Sequence, residues 1–404
     1  MRAQPNKNRY HISNKSTKKL SVVLRVAKRV SCRPAHRAAM FRTCFSLQHL
    51  QAKTRKGQHK NMPSVPTKKI YDISKEILLA CGLPTEDADI VADTIVSAHR
   101  KEKHTHGLGR LSIYHRKTSS GLMSPTTTIK KVSDRGVVAV YDAENGFGQV
   151  AAYKGMQTCL EKAAALGIGV VAIRNSNSFG TADYFGEMAA KEGMVGIVMG
   201  NASPALATPG GNRALVGTNP LCFAFPGTGA HPPIVLDMAC SVVARGKIRM
   251  ALKNGEKIPS SWAVDADGIP TDDPEKALEG MINAIGGYKG FGLALVVDIL
   301  AGLMSGSAFA GDVKALNAPE GFSRYGHFLA AINTSFFLDD TEYQKRMDYL
   351  VDQTKGCGEP GAVLLPGERS FLNSRRNTED VDLPEKLVDD TNDLASLIGA
   401  GVRL

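Results

Sequence analysis

The chain predicts an α/β protein. From about residue 137 onward, short apolar strands alternate with amphipathic helices, and ahead of them the segment from residue 67 to about 122 is patterned for helix alone. With 404 residues, 43% of them apolar, there is enough chain to bury a sizeable core in two or three domains. No Walker loop is present, and the one match to a dinucleotide fingerprint, Gly167-Ile168-Gly169-Val170-Val171-Ala172, follows a helix and opens a strand. A working fingerprint follows a strand and opens a helix, so this match predicts no Rossmann core.

Taken in order, residues 72–81 predict an amphipathic helix ending at Gly82, a natural residue for the left-handed end of a helix. Thr85 is expected to cap a second helix, whose first turn carries Glu86, Asp87 and Asp89 and whose Ala88, Val91, Ala92 and Ile95 share one face. A basic, His-containing segment follows, His99 to His106, then helix or loop to about Leu122. Val137–Tyr141 predicts a strand, 149–165 a helix, Gly169–Ile173 a buried strand, and Asn175–Gly180 a polar loop. A helix near 181–191 leads to strands at Gly196–Met199, Leu221–Ala224 and Pro233–Asp237. Residues 255–275 predict a loop rich in Pro, Asp and Gly. The run Phe291 to Met304, interrupted by Asp298, is too short to span a bilayer and predicts a buried core helix. Strand 327–333, helix 341–354, a turn at Leu365–Glu368 and a last helix opening near Pro384 complete the pattern.

The net charge of +11 belongs to one end of the chain. Residues 1–71 hold 18 Lys/Arg and no Asp or Glu, leaving 32 Lys/Arg against 39 Asp/Glu and a net charge of −7 elsewhere. The folded part is mildly acidic, so the whole-chain charge does not point to nucleic acid. Residues 1–66 predict a basic disordered extension, or upstream sequence absent from the working protein, with Met62 a candidate start. Their lack of acidic residues also fits a mitochondrial transit peptide. Seven cysteines without a Cys-x-x-Cys pair argue for reduced thiols in a cytoplasmic protein, or a mitochondrial one if the extension is a transit peptide. No membrane association is expected.

Four groups of residues can carry chemistry. In Gly286-Gly287-Tyr288-Lys289-Gly290-Phe291-Gly292 a lysine sits among glycines ahead of a helix, suited to a phosphate, carboxylate or oxyanion, or else a glycine-rich turn with a solvated lysine. In His99-x4-His104-x-His106 with Arg110, His106 can exchange a proton near neutral pH and Arg110 can hold a carboxylate by two hydrogen bonds. His99 and His104 read as surface residues, and the spacing does not suit zinc. Asn175-Ser176-Asn177-Ser178-Phe179-Gly180 lies between a strand and a helix, where wound sheets bind ligands, but Ser178 lacks the strained elbow of a hydrolase nucleophile. Asp237, ending an apolar strand, can hold ribose hydroxyls or cap a turn.

Together these segments resemble the type-2 malate/L-lactate dehydrogenase family. The matching stretches, in order, are Thr105-His106-Gly107-Leu108-Gly109-Arg110-Leu111, Gly217-Thr218-Asn219-Pro220, Leu236-Asp237-Met238-Ala239, Val243-Ala244-Arg245-Gly246-Lys247, Trp262-Ala263-Val264-Asp265, Gly287-Tyr288-Lys289-Gly290-Phe291-Gly292 and Leu365-Pro366-Gly367-Glu368. The resemblance implies a non-Rossmann, NAD(P)-binding mixed sheet with helices, plus a small helical N-terminal domain. It implies a homodimer using NAD or NADP to interconvert a small 2-hydroxy acid, malate- or lactate-like, and its 2-oxo acid. Residues 67–140 and 335–404 would form a helical substrate-side domain and 141–334 the cofactor-binding domain.

By the same resemblance His106, Ser178 and Lys289 occupy catalytic positions, and Arg110 and Asn219 substrate-binding ones. Pro233, Ile234, Val235, Leu236, Asp237, Met238, Ala239, Tyr288, Lys289, Gly367, Glu368 and Arg369 fall where the cofactor is held; no metal is expected. Two departures stand out. The family commonly has His at the place of Ser178 and Gly at that of Asp183. The alternative implied by Ser178 is a degenerate member that binds the cofactor without turnover, since a serine hydroxyl alone cannot act as an imidazole does.

Overall fold

The sheet at the centre of the protein has seven strands in the order β2-β3-β4-β10-β5-β6-β7. They are β2 (Lys130–Arg135), β3 (Val138–Asp142), β4 (Ile168–Ser176), β5 (Met194–Gly200), β6 (Leu221–Phe225), β7 (Ile234–Met238) and β10 (Tyr325–Asn333). The computed structural model describes residues 62–404, of which Pro63–Leu404 form one compact unit. The expected extension therefore lies almost wholly outside the described residues. Its last part differs from expectation: Ser64–Pro66 is a strand, β1, paired antiparallel with β11 (Asp380–Asp382).

Of the neighbouring pairs in this sheet only β3 and β4 run parallel. Every other neighbouring pair is antiparallel. The sheet is mixed, as the family resemblance implies. The cause is β10, which enters from far along the chain and pairs antiparallel with both β4 and β5. Period-two side-chain alternation sends Leu329 and Ala331 to one face of β10 and Phe328 to the other.

On the first face lie α4 (Gly148–Leu166) and α5 (Ala182–Lys191), burying Met156, Cys159, Phe185 and Ala189 against the sheet. The accidental fingerprint has its explanation here. Gly167 ends α4 at φ 83°, and a Cβ on Gly169 would lie 2.1 Å from the Cys159 carbonyl oxygen. The glycines let helix and strand approach each other; they do not cradle a phosphate. The opposite face is covered by α6 (Arg245–Asn254), α7 (Pro274–Glu279), α8 (Tyr288–Val297) and a hairpin of β8 (Ala263–Val264) with β9 (Met281–Ile282).

A third cluster joins α1 (Thr67–Ala80), α2 (Thr85–Arg100), α3 (Leu111–Ser119) and α11 (Glu385–Leu397), with α9 (Asp340–Lys355) and α10 (Glu368–Arg376) completing the helices. Thr85 is the first residue of its helix rather than the cap; Pro84 holds the cap position and no side chain caps it. Three helices, α6, α7 and α10, and the strands β2, β8, β9 and β11 escape the sequence pattern, with β8 inside the loop expected at 255–275 and α7 at its end. For α6, α10 and β2 the cause is composition. Their sequences, RGKIRMALKN, ERSFLNSRR and KKVSDR, are too polar to carry a clear apolar period.

The expected buried helix at Phe291–Met304 is corrected. It is helical through Val297 and continues as a π-turn, Asp298–Leu303, but only one narrow face is buried, through Ala294, Val297 and Ala301. Leu293, Val296, Ile299, Leu303 and Met304 remain exposed. Apolar composition marked the helix; it did not mark which side was covered.

Candidate active site

One end of the sheet gathers the site. The C-termini of β4, β5 and β7 and the N-termini of β6 and β10 all emerge there, because β6 and β10 run against β5. Two adjoining cavities open at this end. The outer cleft, about 640 Å³, is lined among others by Lys103, Thr218, Asp237, Met238, Arg245 and Arg249. The inner cavity, about 190 Å³, is lined among others by Ser178, Phe179, Asn201, Tyr325 and His327. His106, Arg110, Gly180, Thr218 and Pro220 line both.

His106 ends a single 3-10 turn, His104–His106. The turn is held from beneath by His99, which is corrected from a surface residue to a wholly buried one. Its Nε2 accepts from the Leu108 backbone N–H at 2.9 Å, and its Nδ1 lies 2.9 Å from His104 Nδ1. Both ring nitrogens are therefore occupied. Gly107 is required: a Cβ there would lie 2.1 Å from His99 Nε2. The His106 ring is different. Its Nδ1 is shut off from solvent without a hydrogen-bond partner. Burial first, then the cations of Arg110 and Lys103, push it down to about 3, so it is neutral at ordinary pH. Arg110 Nε donates to the Thr105 carbonyl at 2.8 Å, tying the guanidinium to the same turn.

Beside this turn lies a buried charge network. Lys101 Nζ pairs with Asp183 at 3.1 Å and Glu187 at 2.8 Å, and Lys103 Nζ pairs with Asp183 at 2.7 Å and with Asp237. Burial works against ionised Asp183, but Lys101 and Lys103 hold it well below the usual carboxylate range. Burial pushes Asp237 up, against the pull of Lys103. Asp183, one of the two departures noted in the sequence, thus has a partner in Lys103, itself on the cleft wall.

The structure brings together His106, Arg110, Ser178, Asp237, Met238 and Ala239. Ser178 is weakly engaged, its Oγ accepting from the Gly180 N–H at 3.5 Å. Asn219 stands behind the wall: Oδ1 accepts from the Ala202 N–H at 3.0 Å and Nδ2 donates to the Ala294 carbonyl at 2.8 Å, so its amide braces Thr218 and Pro220 without lining either cavity. Pro233, Ile234, Val235 and Leu236 line neither cavity; the last three run along β7, where Val235 N–H donates to the Pro366 carbonyl at 3.0 Å. Gly367, at φ 83°, packs on Val235, Glu368 pairs with Lys355 at 2.7 Å, and Arg369 is exposed. Tyr288 and Lys289 are exposed at the start of α8 and line neither cavity.

Sequence reasoning missed Lys103, Arg249, Tyr325 and His327, and had Arg245 only inside a matching stretch, with no role assigned. Lys103 sits in the basic segment that looked solvated. His327 follows Gly326 in a strand whose neighbours read only as core, and a lone strand histidine carries no periodic signal.

The outer cleft suits a dinucleotide. Four cations line it against one carboxylate that Lys103 already engages. Arg245, whose Nη2 donates to the Leu278 carbonyl at 2.6 Å, lines the cleft, and α6 opens on it with no capping side chain and no acidic residue in its first turn. Lys103, Arg245, Arg249 and the start of α6 can hold a diphosphate.

A profile of the malate/L-lactate dehydrogenase family matches residues 65–392. The L-sulfolactate dehydrogenase of Methanocaldococcus jannaschii is 38% identical over 84% of this chain and 97% of its own length. The malate dehydrogenase of Pyrococcus abyssi is 36% identical over 84% of this chain and 96% of its own. The solved structure of the Methanocaldococcus jannaschii sulfolactate dehydrogenase superposes with a TM-score of 0.78 at 37% identity, covering 84% of this chain and 98% of that one. With a match spanning most of the chain, and a mixed sheet that gathers the matched His106, Arg110 and Asp237 at one end, the protein belongs to the malate/L-lactate dehydrogenase family.

Proposed function

We propose that the protein is an NAD(P)-dependent dehydrogenase interconverting a small 2-hydroxy acid, malate- or lactate-like, and its 2-oxo acid. The observation that carries this reading is the pair His106 and Arg110, which line both the dinucleotide-sized cleft and the adjoining small cavity. A bound nicotinamide would exchange the hydride at C2 of the acid. Arg110 holds the carboxylate and His106 exchanges a proton with the 2-oxygen. Neutral in the empty site, His106 is ready to accept the hydroxyl proton in oxidation. An acid carboxylate on Arg110 offsets one of the charges that depress His106, raising its basicity when substrate is present. Residues 67–140 and 335–404 then act as the substrate-side part, contributing His106 and Arg110, and 141–334 as the cofactor part.

The test is oxidation of malate, lactate and sulfolactate with NAD and with NADP by the wild type, His106→Ala and Ser178→His. Activity in His106→Ala equal to wild type would remove His106 from the chemistry. The rival reading, cofactor binding without turnover, rests on Ser178; NAD(P) binding with no turnover of any acid would favour it.

The row of exposed apolar side chains along α8 and the following π-turn, Leu293, Val296, Ile299 and Leu303, supports a homodimer, since a contiguous exposed apolar face marks an interaction surface. Tyr288 and Lys289 open that same helix, so their role at the cofactor is tied to this assembly. Sedimentation showing a monomer at micromolar concentration would refute it.

A further inference from the structure

The outer cleft has a direction. Hydride transfer at C2 of the acid sets a nicotinamide beside His106, so a dinucleotide runs outward from that end. The first turn of α6 abuts the same end: a Cβ on Gly246 would lie 3.2 Å from Thr105 Cγ2, on the turn that carries His106. Arg245 and Arg249 both line the cleft and stand four residues apart on α6, one turn and about 6 Å of rise. Arg245 therefore sits by the His106 end, and Arg249 one turn farther along.

The four cations of the cleft are not equally engaged. Arg110 donates to the Thr105 carbonyl at 2.8 Å, and Arg245 donates to the Leu278 carbonyl at 2.6 Å. Lys103 is held by Asp183 and Asp237. Arg249 is exposed on the cleft wall and makes no hydrogen bond or ion pair among the described residues. Burial first, then the charge of Arg249, holds Arg245 below its ordinary value, so the two guanidiniums are close enough to repel. A dianion beside them removes that repulsion. Carboxylates are scarcer: Asp237 is the one that lines the cleft among the described residues, and Lys103 occupies it. An adenosine ribose is recognised either by a carboxylate on its 2′-hydroxyl or by an arginine on a 2′-phosphate. The cleft offers an unengaged arginine and no unengaged carboxylate.

We propose that Arg249 binds the 2′-phosphate of the adenosine ribose and makes the protein selective for NADP(H) over NAD(H). This rests on the dehydrogenase reading, which sets the nicotinamide beside His106. Lys103, Arg245 and the start of α6 then serve the diphosphate that both cofactors share, and Arg249 meets the part that lies beyond it. A guanidinium suits that task, since its planar fork can pair with two oxygens of one phosphate.

The test compares NADPH and NADH binding to the full chain, by the fluorescence of the bound nicotinamide, in the wild type, Arg249→Met and Arg249→Lys. The methionine keeps an apolar stem on an exposed site, and its NADH affinity reports whether the cleft is intact. The wild type should bind NADPH at least tenfold more tightly than NADH. Arg249→Met should lose about 10- to 100-fold in NADPH affinity and stay within about twofold for NADH, and Arg249→Lys should fall between. Salt should weaken NADPH more steeply than NADH in the wild type, and equally in Arg249→Met. Equal affinities in the wild type would overturn the proposal. So would equal losses for both cofactors in Arg249→Met, which would put Arg249 on the diphosphate. A wild type that binds NADPH through Arg249 yet oxidises no acid sinks the dehydrogenase reading alone. One that oxidises malate or lactate equally well with either cofactor, at equal affinity, keeps that reading and loses Arg249. Binding of neither cofactor refutes both.

Discussion

Replacing Asp183 by Asn tests the charge network beside the cleft. The Asp183 carboxylate is 2% exposed and is shared by Lys101 at 3.1 Å and Lys103 at 2.7 Å. Removing one partner of a buried ion pair costs about 3–5 kcal/mol, because the remaining charge stays buried and unmatched. Here neither lysine is left alone. Lys101 keeps Glu187, and Lys103 keeps Asp237. The expected loss is therefore at the low end, about 3 kcal/mol, and is read as a shift in urea midpoint at unchanged slope. The double variant Lys103→Met/Asp183→Asn should recover about 1–2 kcal/mol of the summed single losses, since the two charges are removed together. A second readout is the cofactor. Without Asp183, Lys103 pairs with Asp237 alone, so the KM for NAD(P) should move while that for the acid does not. An Asp183→Asn protein destabilised by less than about 1 kcal/mol, with both KM values unchanged, would refute the network as described.

Two further outcomes follow from the histidines. With His106 depressed to about 3, the base form is present throughout the working range, so kcat/KM for acid oxidation should be flat from about pH 5 upward. Reduction needs the protonated form and should fall about tenfold per pH unit over the same range; a bell centred near neutrality in both directions would contradict it. His99, His106 and His327 are held below their ordinary value, to about 3, 3 and 4, so each binds a proton more readily in the unfolded chain. Stability should therefore be complete above about pH 6.5 and decline as pH falls toward 4, by up to about 4 kcal/mol per pH unit when all three contribute. Urea titrations at pH 7, 6 and 5 check this, and a midpoint constant across them would refute it.

The fold was legible where sequence period and burial agree. Strands β4, β5, β6 and β10 announced themselves as short apolar runs, and α4 by its spaced Val150, Tyr153, Met156 and Leu160. Direction was not legible, because a strand's own residues do not say which neighbours it joins, and β10 pairs across more than a hundred residues. In the site, Arg110 and His106 stood out because a short loop carries both with glycines. Lys103 did not, since a lysine in a basic run looks solvated until Asp183 and Asp237, 80 and 134 residues away, are seen to surround it. Asn219 was visible as part of a motif, but its role as a brace depends on the Ala202 and Ala294 backbone, which only the folded chain supplies.

The central place of β10 bears on how the chain is made. Its nearest neighbours, β4 and β5, end by residue 200, yet the strand that joins them begins at Tyr325. During synthesis both present open hydrogen-bonding edges while well over a hundred residues emerge. At about 5–20 residues per second, that interval lasts on the order of ten seconds. The sheet cannot close from its N-terminal half, and the inner cavity, which needs Tyr325 and His327, forms only when it does. Folding and assembly of the site are thus a single late event, and the open edges of β4 and β5 are where a truncated or stalled chain would associate with another copy.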